Sequence, residues 1–446
     1  MNIIVAGAGE VGVHLAKMLS REKHNIVVVD QKEDVLENLN SNYDLMTVLG
    51  SPTSLSALKD AGCNASTDLF IAVTPEESRN LTACILAAKL GVKKTVARVE
   101  NPEYLHPEQK AFFEQLGIDS LICPEILAAK EIADSLVRPW VRQWYEFNNG
   151  TLILIGVKVR AGANIIGKEL MNLFTHDESC RIAAIKRGKD TIIPGGRDII
   201  QTDDMVYFIT TREHVDTVRK MADKPHTEVH KVMIMGGSRI AMLTTERIAE
   251  QFDVKILEVN KERSEMVKER LGSKAMVILG DGRDIDLLHD EGIEQVEAYI
   301  ALTGNSETNI LSCLAAKRFQ VQRTVAEVEN NDYIPLAEGL DIGIVINKKL
   351  IAAGHIYQMM LDADVSNMKC LTFADAEVAE FVVKQGAKIT KSKVMDLRLP
   401  ENIGIGGLTR DDKGIIVYGN TQILPGDRVV LFCPSTYLRK VEKFFK

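Results

Sequence analysis

At 446 residues, 46% of them hydrophobic and 26% charged, the chain is long enough for two to four compact domains, each burying its own core. Its net charge of −8, with no run of Lys or Arg and no RNA-type aromatic motif, excludes a broad phosphate-backbone surface, so nucleic acid is not an expected partner. No apolar stretch approaches the roughly 18–20 residues that span a bilayer; the longest, Leu152–Val159, is strand-sized and carries Gly156 and Lys158. A strand and a glycine turn follow Met1 directly, so no secretory signal is read and a cytoplasmic location is expected, with membrane contact only through a partner. The seven cysteines (63, 84, 123, 180, 313, 370, 433) lack any C-x-x-C pair and read as buried, reduced thiols. The nine histidines show no metal-ligand spacing, and His106 and His176 read as surface residues; no metal site is expected.

Residues 1–122 alternate short apolar strands with amphipathic helices. The strands read Ile3–Ala6, Ile26–Val29, Met46–Leu49, Leu69–Val73, Thr95–Val99 and Leu121–Cys123. Between them lie helical patterns at Val11–Leu19, Lys32–Asn40, Leu55–Ala61, Glu77–Leu90 and Pro107–Leu116. Such alternation implies an α/β fold, a doubly wound parallel sheet with right-handed crossovers of Rossmann type. A helical segment follows within 123–144 (Pro124–Leu136), and then the pattern changes. Over 145–222, strands Leu152–Val159, Ile182–Ile185 and Val206–Ile209 surround turns such as Pro194-Gly195-Gly196, and a closing helix starts near Glu213: a small α+β module. The polar stretch Asp223–His230 reads as a linker.

The rest repeats this plan. Asn80–Asn101 and Asn309–Asn330 share both ends at a constant offset of 229, with Cys84/Cys313 and Thr95-Val96-Ala97/Thr324-Val325-Ala326 matching between them. The second half therefore divides into a Rossmann-like segment 231–346, a helical segment 347–370 and a second α+β module 371–446, in which Ile423–Asp427 answers Ile200–Asp204.

Gly7-Ala8-Gly9-Glu10-Val11-Gly12 is a G-x-G-x-x-G turn between a strand and a helix. Gly7 permits the tight turn, Gly9 a close backbone approach to a pyrophosphate, and Gly12 close helix–strand packing. A diphosphate would meet the helix N-terminus. Asp30 ends the second strand, 18 residues past Gly12, where a carboxylate accepts from ribose hydroxyls and repels a 2′-phosphate. NAD or another unphosphorylated adenosine ribose is therefore favoured over NADP. Ser51, Val73, Thr74 and Arg98 stand at the carboxyl ends of later strands, where open α/β sheets bind ligands. Arg98 either meets phosphate or pairs with Glu77 or Glu100.

The second copy, Gly236-Gly237-Ser238-Arg239-Ile240-Ala241, puts Ser and Ala at the second and third glycine positions. Glu258 ends its second strand in the ribose role, and Asp281 stands where the first half has Ser51. Glu327 replaces Arg98, a repelling charge for an attracting one, and Arg239, replacing Glu10, is expected to compensate in part. A dehydrogenase would need a proton donor or acceptor facing the nicotinamide and a substantial substrate domain. Neither is evident, so an NAD-dependent oxidoreductase is the alternative reading rather than the main one.

The order of Rossmann unit, helix and small module, repeated, with GAGEVG, Asp30, VTPEESRN and ARVEN, closely resembles the TrkA family over essentially the whole chain. These are cytosolic regulatory subunits of bacterial Trk potassium uptake systems, built from RCK (KTN) domains. The resemblance implies that four chains form a gating ring of eight Rossmann units under a TrkH- or TrkG-type membrane channel subunit. NAD(H), or alternatively ATP/ADP, would bind and gate potassium flux. It assigns the first site to Gly7, Ala8, Gly9, Glu10, Val11, Asp30, Val73, Thr74 and Arg98. The second would use Gly236, Gly237, Ser238, Arg239, Ile240 and Glu258, with Asp281. Ser51 stands where many family members carry an aspartate.

Overall fold

The computed structural model describes residues 1–20, 24–173, 179–188, 190–364, 371–373, 376–397, 399–400, 403–434, 437, 441 and 443–445. His176 and Cys370 lie outside the described residues. The chain forms two compact units, one of residues 1–137 with 229–357 and the other of 138–228 with 358–446.

In the first Rossmann lobe, strands β1 (Asn2–Ala6), β2 (Asn25–Asp30), β3 (Met46–Leu49), β4 (Leu69–Ala72), β5 (Thr95–Arg98) and β6 (Ser120–Ile122) make a six-stranded sheet in the order β3-β2-β1-β4-β5-β6. All its pairings are parallel. Helices α1 (Glu10–Ser20), α2 (Glu33–Asn42), α3 (Leu55–Asp60), α4 (Glu77–Lys89), α5 (Lys110–Gln115) and α6 (Pro124–Val137) alternate with the strands or follow them. Burial explains the composition of the central strands: Ile3, Ile4, Val5 and Ala6 of β1 are all buried, which requires an unbroken apolar run. The order reverses between β1 and β4, so the crevice at the strands' carboxyl ends opens beside the Gly7–Gly12 turn.

The small module that follows is a five-stranded antiparallel sheet, β10-β9-β11-β8-β7. Its strands are β7 (Gln143–Phe147), β8 (Leu152–Lys158), β9 (Cys180–Arg187), β10 (Asp190–Ile192) and β11 (Met205–Thr210), with helices α7 (Leu170–Leu173) and α8 (Val215–Met221). Strand β7 starts at Gln143, inside the segment expected to be the crossover helix. Its run Gln-Trp-Tyr-Glu-Phe lacks clean alternation because β7 is an edge strand with only Phe147 buried.

The second lobe repeats the first. Strands β12 (Lys231–Met235), β13 (Asp253–Glu258), β14 (Met276–Leu279), β15 (Ala298–Ala301), β16 (Arg323–Glu327) and β17 (Ile344–Ile346) run parallel in the order β14-β13-β12-β15-β16-β17. Its helices are α9 (Arg239–Ile248), α10 (Lys261–Leu271), α11 (Ile285–Asp290), α12 (Ser306–Arg318), α13 (Ile334–Gly339) and α14 (Lys348–Asp364). The second module's strands, β18 (Leu371–Phe373), β19 (Ala376–Val382), β20 (Gly404–Arg410), β21 (Lys413–Ile416) and β22 (Arg428–Pro434), reproduce the first module's topology as β18-β19-β22-β20-β21.

Within the first unit, one core crosses from lobe to lobe. Ala128, Ala129, Ile132, Ala133 and Leu136 of α6 pack with Ile240, Ala241 and Ile248 of α9 and with the apolar strands β12, β13 and β15. Alanines on α6 let the helices approach closely, and burying this apolar stripe couples the two lobes. Within the second unit, the modules share a core through Phe147, Leu152, Leu154 and Ile209 against Val378, Val430 and Phe432. Each module carries the same buried fork. Arg187 grips Asp204 at 2.9 and 2.8 Å while Asp204 accepts from the Gln201 amide; Arg410 and Asp427 do likewise at 2.8 and 2.7 Å, with the Leu424 amide. That fork is the physical content of the Ile200–Asp204 and Ile423–Asp427 likeness.

Candidate functional site

The first glycine turn is built by steric necessity. Gly7 has φ +110°, and a Cβ there would lie 2.9 Å from the Thr74 nitrogen. A Cβ on Gly12 would lie 1.8 Å from the Gly7 carbonyl oxygen, so a side chain cannot enter without moving the backbone. Gly9 differs: a Cβ there would meet nothing within 4 Å. The turn is open on the side from which a pyrophosphate would approach, so the residues present fit that group. Asp30 at the end of β2 accepts from the Ala8 amide (2.5 Å, Oδ2) and from the Lys32 amide (2.9 Å, Oδ1). A carboxylate has lone pairs beyond these two, which leaves capacity for ribose hydroxyls.

The remaining first-lobe positions divide by how their polar groups are used. Val73 is buried as a wall behind the turn. Thr74 gives both its amide (2.8 Å) and its hydroxyl (2.7 Å) to the Asn80 Oδ1. Asn80 in turn donates to the carbonyls of Thr74 and Arg98, each at 2.9 Å. Thr74 is thus a strut. The Ser51 hydroxyl meets that of Thr53 at 2.9 Å in the turn after β3. Arg98 has a long ion pair with Glu100, 3.8 Å, and its buried Nε has no hydrogen-bond partner. Glu77, the other partner considered for Arg98, instead accepts from the amides of Glu100 and Asn101.

The second turn keeps the backbone and changes the chemistry. Gly236 has φ +98°. The Ser238 hydroxyl caps α9 by accepting from the Ala241 amide, at 3.3 Å, and so engages a helix N-terminal donor by itself. Glu258 repeats the role of Asp30, accepting from the amides of Gly237 (2.6 Å) and Asn260 (2.8 Å). A Cβ at Gly237, the counterpart of Ala8, would sit 2.9 Å from the Val267 Cγ2 and 3.0 Å from the Glu258 Oε2. Ile240 is buried in the interlobe core. Asp281 is held by Arg283 (2.7 Å), and that hydrogen bond keeps its carboxyl below the usual carboxylate range. Asn309 repeats the Asn80 clasp on Thr303 and on the carbonyl of Glu327.

Two charge expectations need correction. Glu327 is not a bare repelling charge, because Lys348 at the start of α14 lies 3.2 Å from it. Burial pushes the Glu327 carboxyl up, and Lys348 pulls the other way. Arg239 does not offset Glu327 inside its own lobe. It crosses to the first lobe and meets the Glu100 carbonyl (3.1 Å) and carboxylate (3.2 Å). Lys349 crosses in the same direction, at 3.0 Å from Glu10 of the first lobe, and is also 3.0 Å from Glu329 of its own. Sequence reasoning missed Asn80, Asn309, Lys348 and Lys349. The two asparagines had a signal, since they open the matched repeat; the lysines had none, since their partners are remote in the chain.

Known proteins agree with this architecture. The TrkA-N domain matches residues 3–124 and 232–348, and the TrkA-C domain residues 154–223 and 378–446. The Trk system potassium uptake protein TrkA of Haemophilus influenzae is 33% identical over 454 residues, covering 100% of this chain and 99% of that protein. Its counterpart in Vibrio alginolyticus is 32% identical over 455 residues with the same coverage. Among solved structures, the GsuK channel bound to NAD shares the fold at a TM-score of 0.61 and 15% identity, over 100% of this chain and 78% of that one. With both domain types present twice and full-length relatives at this identity, the chain belongs to the TrkA family.

Proposed function

We propose that this chain is the nucleotide-binding regulatory subunit of a potassium uptake system, and that its first lobe holds NAD(H), with ATP or ADP as the alternative. The observation that carries this reading is the open Gly9 turn beside an Asp30 carboxylate already oriented by the Ala8 amide. Gly7 to Gly12 and Asp30 would hold the diphosphate and ribose, with Ser51, Val73, Thr74 and Arg98 around them. Gly236 to Ile240, Glu258 and Asp281 would form a second, modified site, in which Ser238 and the Asp281–Arg283 pair are already engaged. The curated relatives are named as potassium uptake proteins, and a fold neighbour is a channel bound to NAD.

The nucleotide acts here as a ligand rather than a redox partner. Binding two arrangements of the lobes unequally, it shifts their populations, typically with about 1–3 kcal/mol of coupling. We read the chain as the six segments 1–122, 123–144, 145–222, 231–346, 347–370 and 371–446, four copies closing a ring against a TrkH- or TrkG-type membrane subunit at the cytoplasmic face. Among the described residues no helix is long and apolar enough to cross a membrane, in keeping with attachment through that partner.

Calorimetric titration of NADH into the wild type and Asp30→Ala tests the site. Affinity should fall about tenfold or more when the ribose acid is lost, and equal affinities would remove the assignment. Adding the chain to vesicles that carry the membrane subunit should make potassium flux depend on nucleotide. Steady NADH turnover on small carbonyl compounds by the chain alone would restore the oxidoreductase reading.

A further inference from the structure

We propose that the first nucleotide site is composite: Lys349, from the second lobe, supplies the cation that meets the ligand's phosphates at the start of α1. This rests on the nucleotide reading above and assigns it a residue from the other half of the chain.

Four positions carry the argument. Glu10 opens α1 and Arg239 opens α9, at equivalent places in the two copies. Strand register pairs Arg98 with Ile122 and Glu327 with Ile346, so Glu125 and Lys349, three residues beyond each, are also equivalent. Both places have reversed charge between the halves. At the second turn the cation stands on the turn's own helix, as Arg239. At the first turn that place holds an acid, and the cation comes from α14 of the other lobe, 3.0 Å from the Glu10 Oε2.

Both cations belong to the second lobe: Arg239 stands on its own turn's helix and reaches Glu100, while Lys349 crosses the lobe–lobe contact to the start of α1. An acid in the first turn suits the helix dipole, but it repels a phosphate arriving at the same amides. Lys349 removes that conflict. Its ammonium has three donors, and the carboxylates of Glu10 and Glu329 account for two ion-pair directions. Glu329 holds the side chain in place whether Glu10 or a phosphate oxygen is its other partner. Lys349 is only 23% exposed, so this charge is less screened than a surface lysine's. A nucleotide that draws Lys349 from Glu10 then alters an interlobe ion pair, which gives binding a direct mechanical consequence for the lobe–lobe contact.

The test uses the full chain carrying Glu258→Ala, so that the first site alone is read, titrated calorimetrically with ATP, ADP and NADH. Lys349→Gln should weaken binding about 10- to 100-fold and make it less dependent on salt, because one charge-assisted contact is gone. Lys349→Arg should recover most of the affinity. Binding by Lys349→Gln within twofold of the parent, or a loss that Lys349→Arg does not recover, overturns the composite site. Absence of binding by the parent and by the wild type overturns both this assignment and the function beneath it.

Discussion

The two glycine turns sit on copies of one sheet, at the same register, and differ in what their side chains already do. The first leaves Gly9 open and holds its acid with two amides. The second has spent Ser238 on its own helix cap, locked Asp281 to Arg283 and lengthened the acid to Glu258, with Val267 and Glu258 crowding Gly237. Fold conservation and site conservation have separated. The sheet tolerates the changes because its packing faces are untouched, while the crevice is shaped by a handful of side chains at strand ends.

The sharpest break in the comparison concerns Gly12 and Ala241, one position in two copies. Gly12→Ala drives a methyl into the Gly7 carbonyl and should destabilise the first unit by about 3 kcal/mol. Ala241→Gly, in the middle of the interlobe core, should cost about 1 kcal/mol. Urea unfolding of the two variants compares them directly, and equal costs would show that the turns are not sterically distinct.

The asparagine clasps should behave alike. Asn80→Ala and Asn309→Ala each take the side-chain partner from a threonine amide and from two carbonyls, and each should cost about 2 kcal/mol. A large difference between them would mean that one clasp is supported elsewhere. Ligand binding should separate them, with Asn80→Ala weakening NADH more than Asn309→Ala does.

The smallest effect is expected at Glu327. Burial raises its carboxyl above the ordinary value, with Lys348 opposing, so the folded chain takes this proton more readily than the unfolded one. Its contribution to stability is therefore greatest at low pH and is lost as the pH rises through the raised value. Glu327→Gln should be at least as stable as wild type near neutral pH, with the advantage shrinking on acidification through the raised value. Denaturant midpoints at neutral and lower pH measure it, and an advantage that grows on acidification would show that burial does not dominate over Lys348 at this carboxyl.

Much of this was legible in the chain itself. Alternating apolar runs and amphipathic helices located every strand of the first sheet; β1 and β4, buried along their length, cannot hide among polar residues, while the edge strand β3 shows as an apolar run although none of its residues is buried. Strand β7 escaped, since an edge strand needs only one buried residue and its Trp144 and Glu146 resemble a loop. The turn, Asp30 and Glu258 were legible because an acid ending the second strand lies at a fixed spacing from the turn whose amide it accepts from, Ala8 in the first lobe and Gly237 in the second.

By itself, then, the sequence determined the duplication, the sheet type, the glycines of each turn and the acid at the end of each second strand, since these follow from repeat, periodicity and spacing along the chain. Only the tertiary structure decided which charges meet. Glu10 with Lys349 and Arg239 with Glu100 are pairs separated by 339 and 139 positions, and they exist because α6 packs its alanines against α9 and brings the lobes together. Ion pairs depend on distance in space, and no local pattern in a chain records a contact made across a shared core.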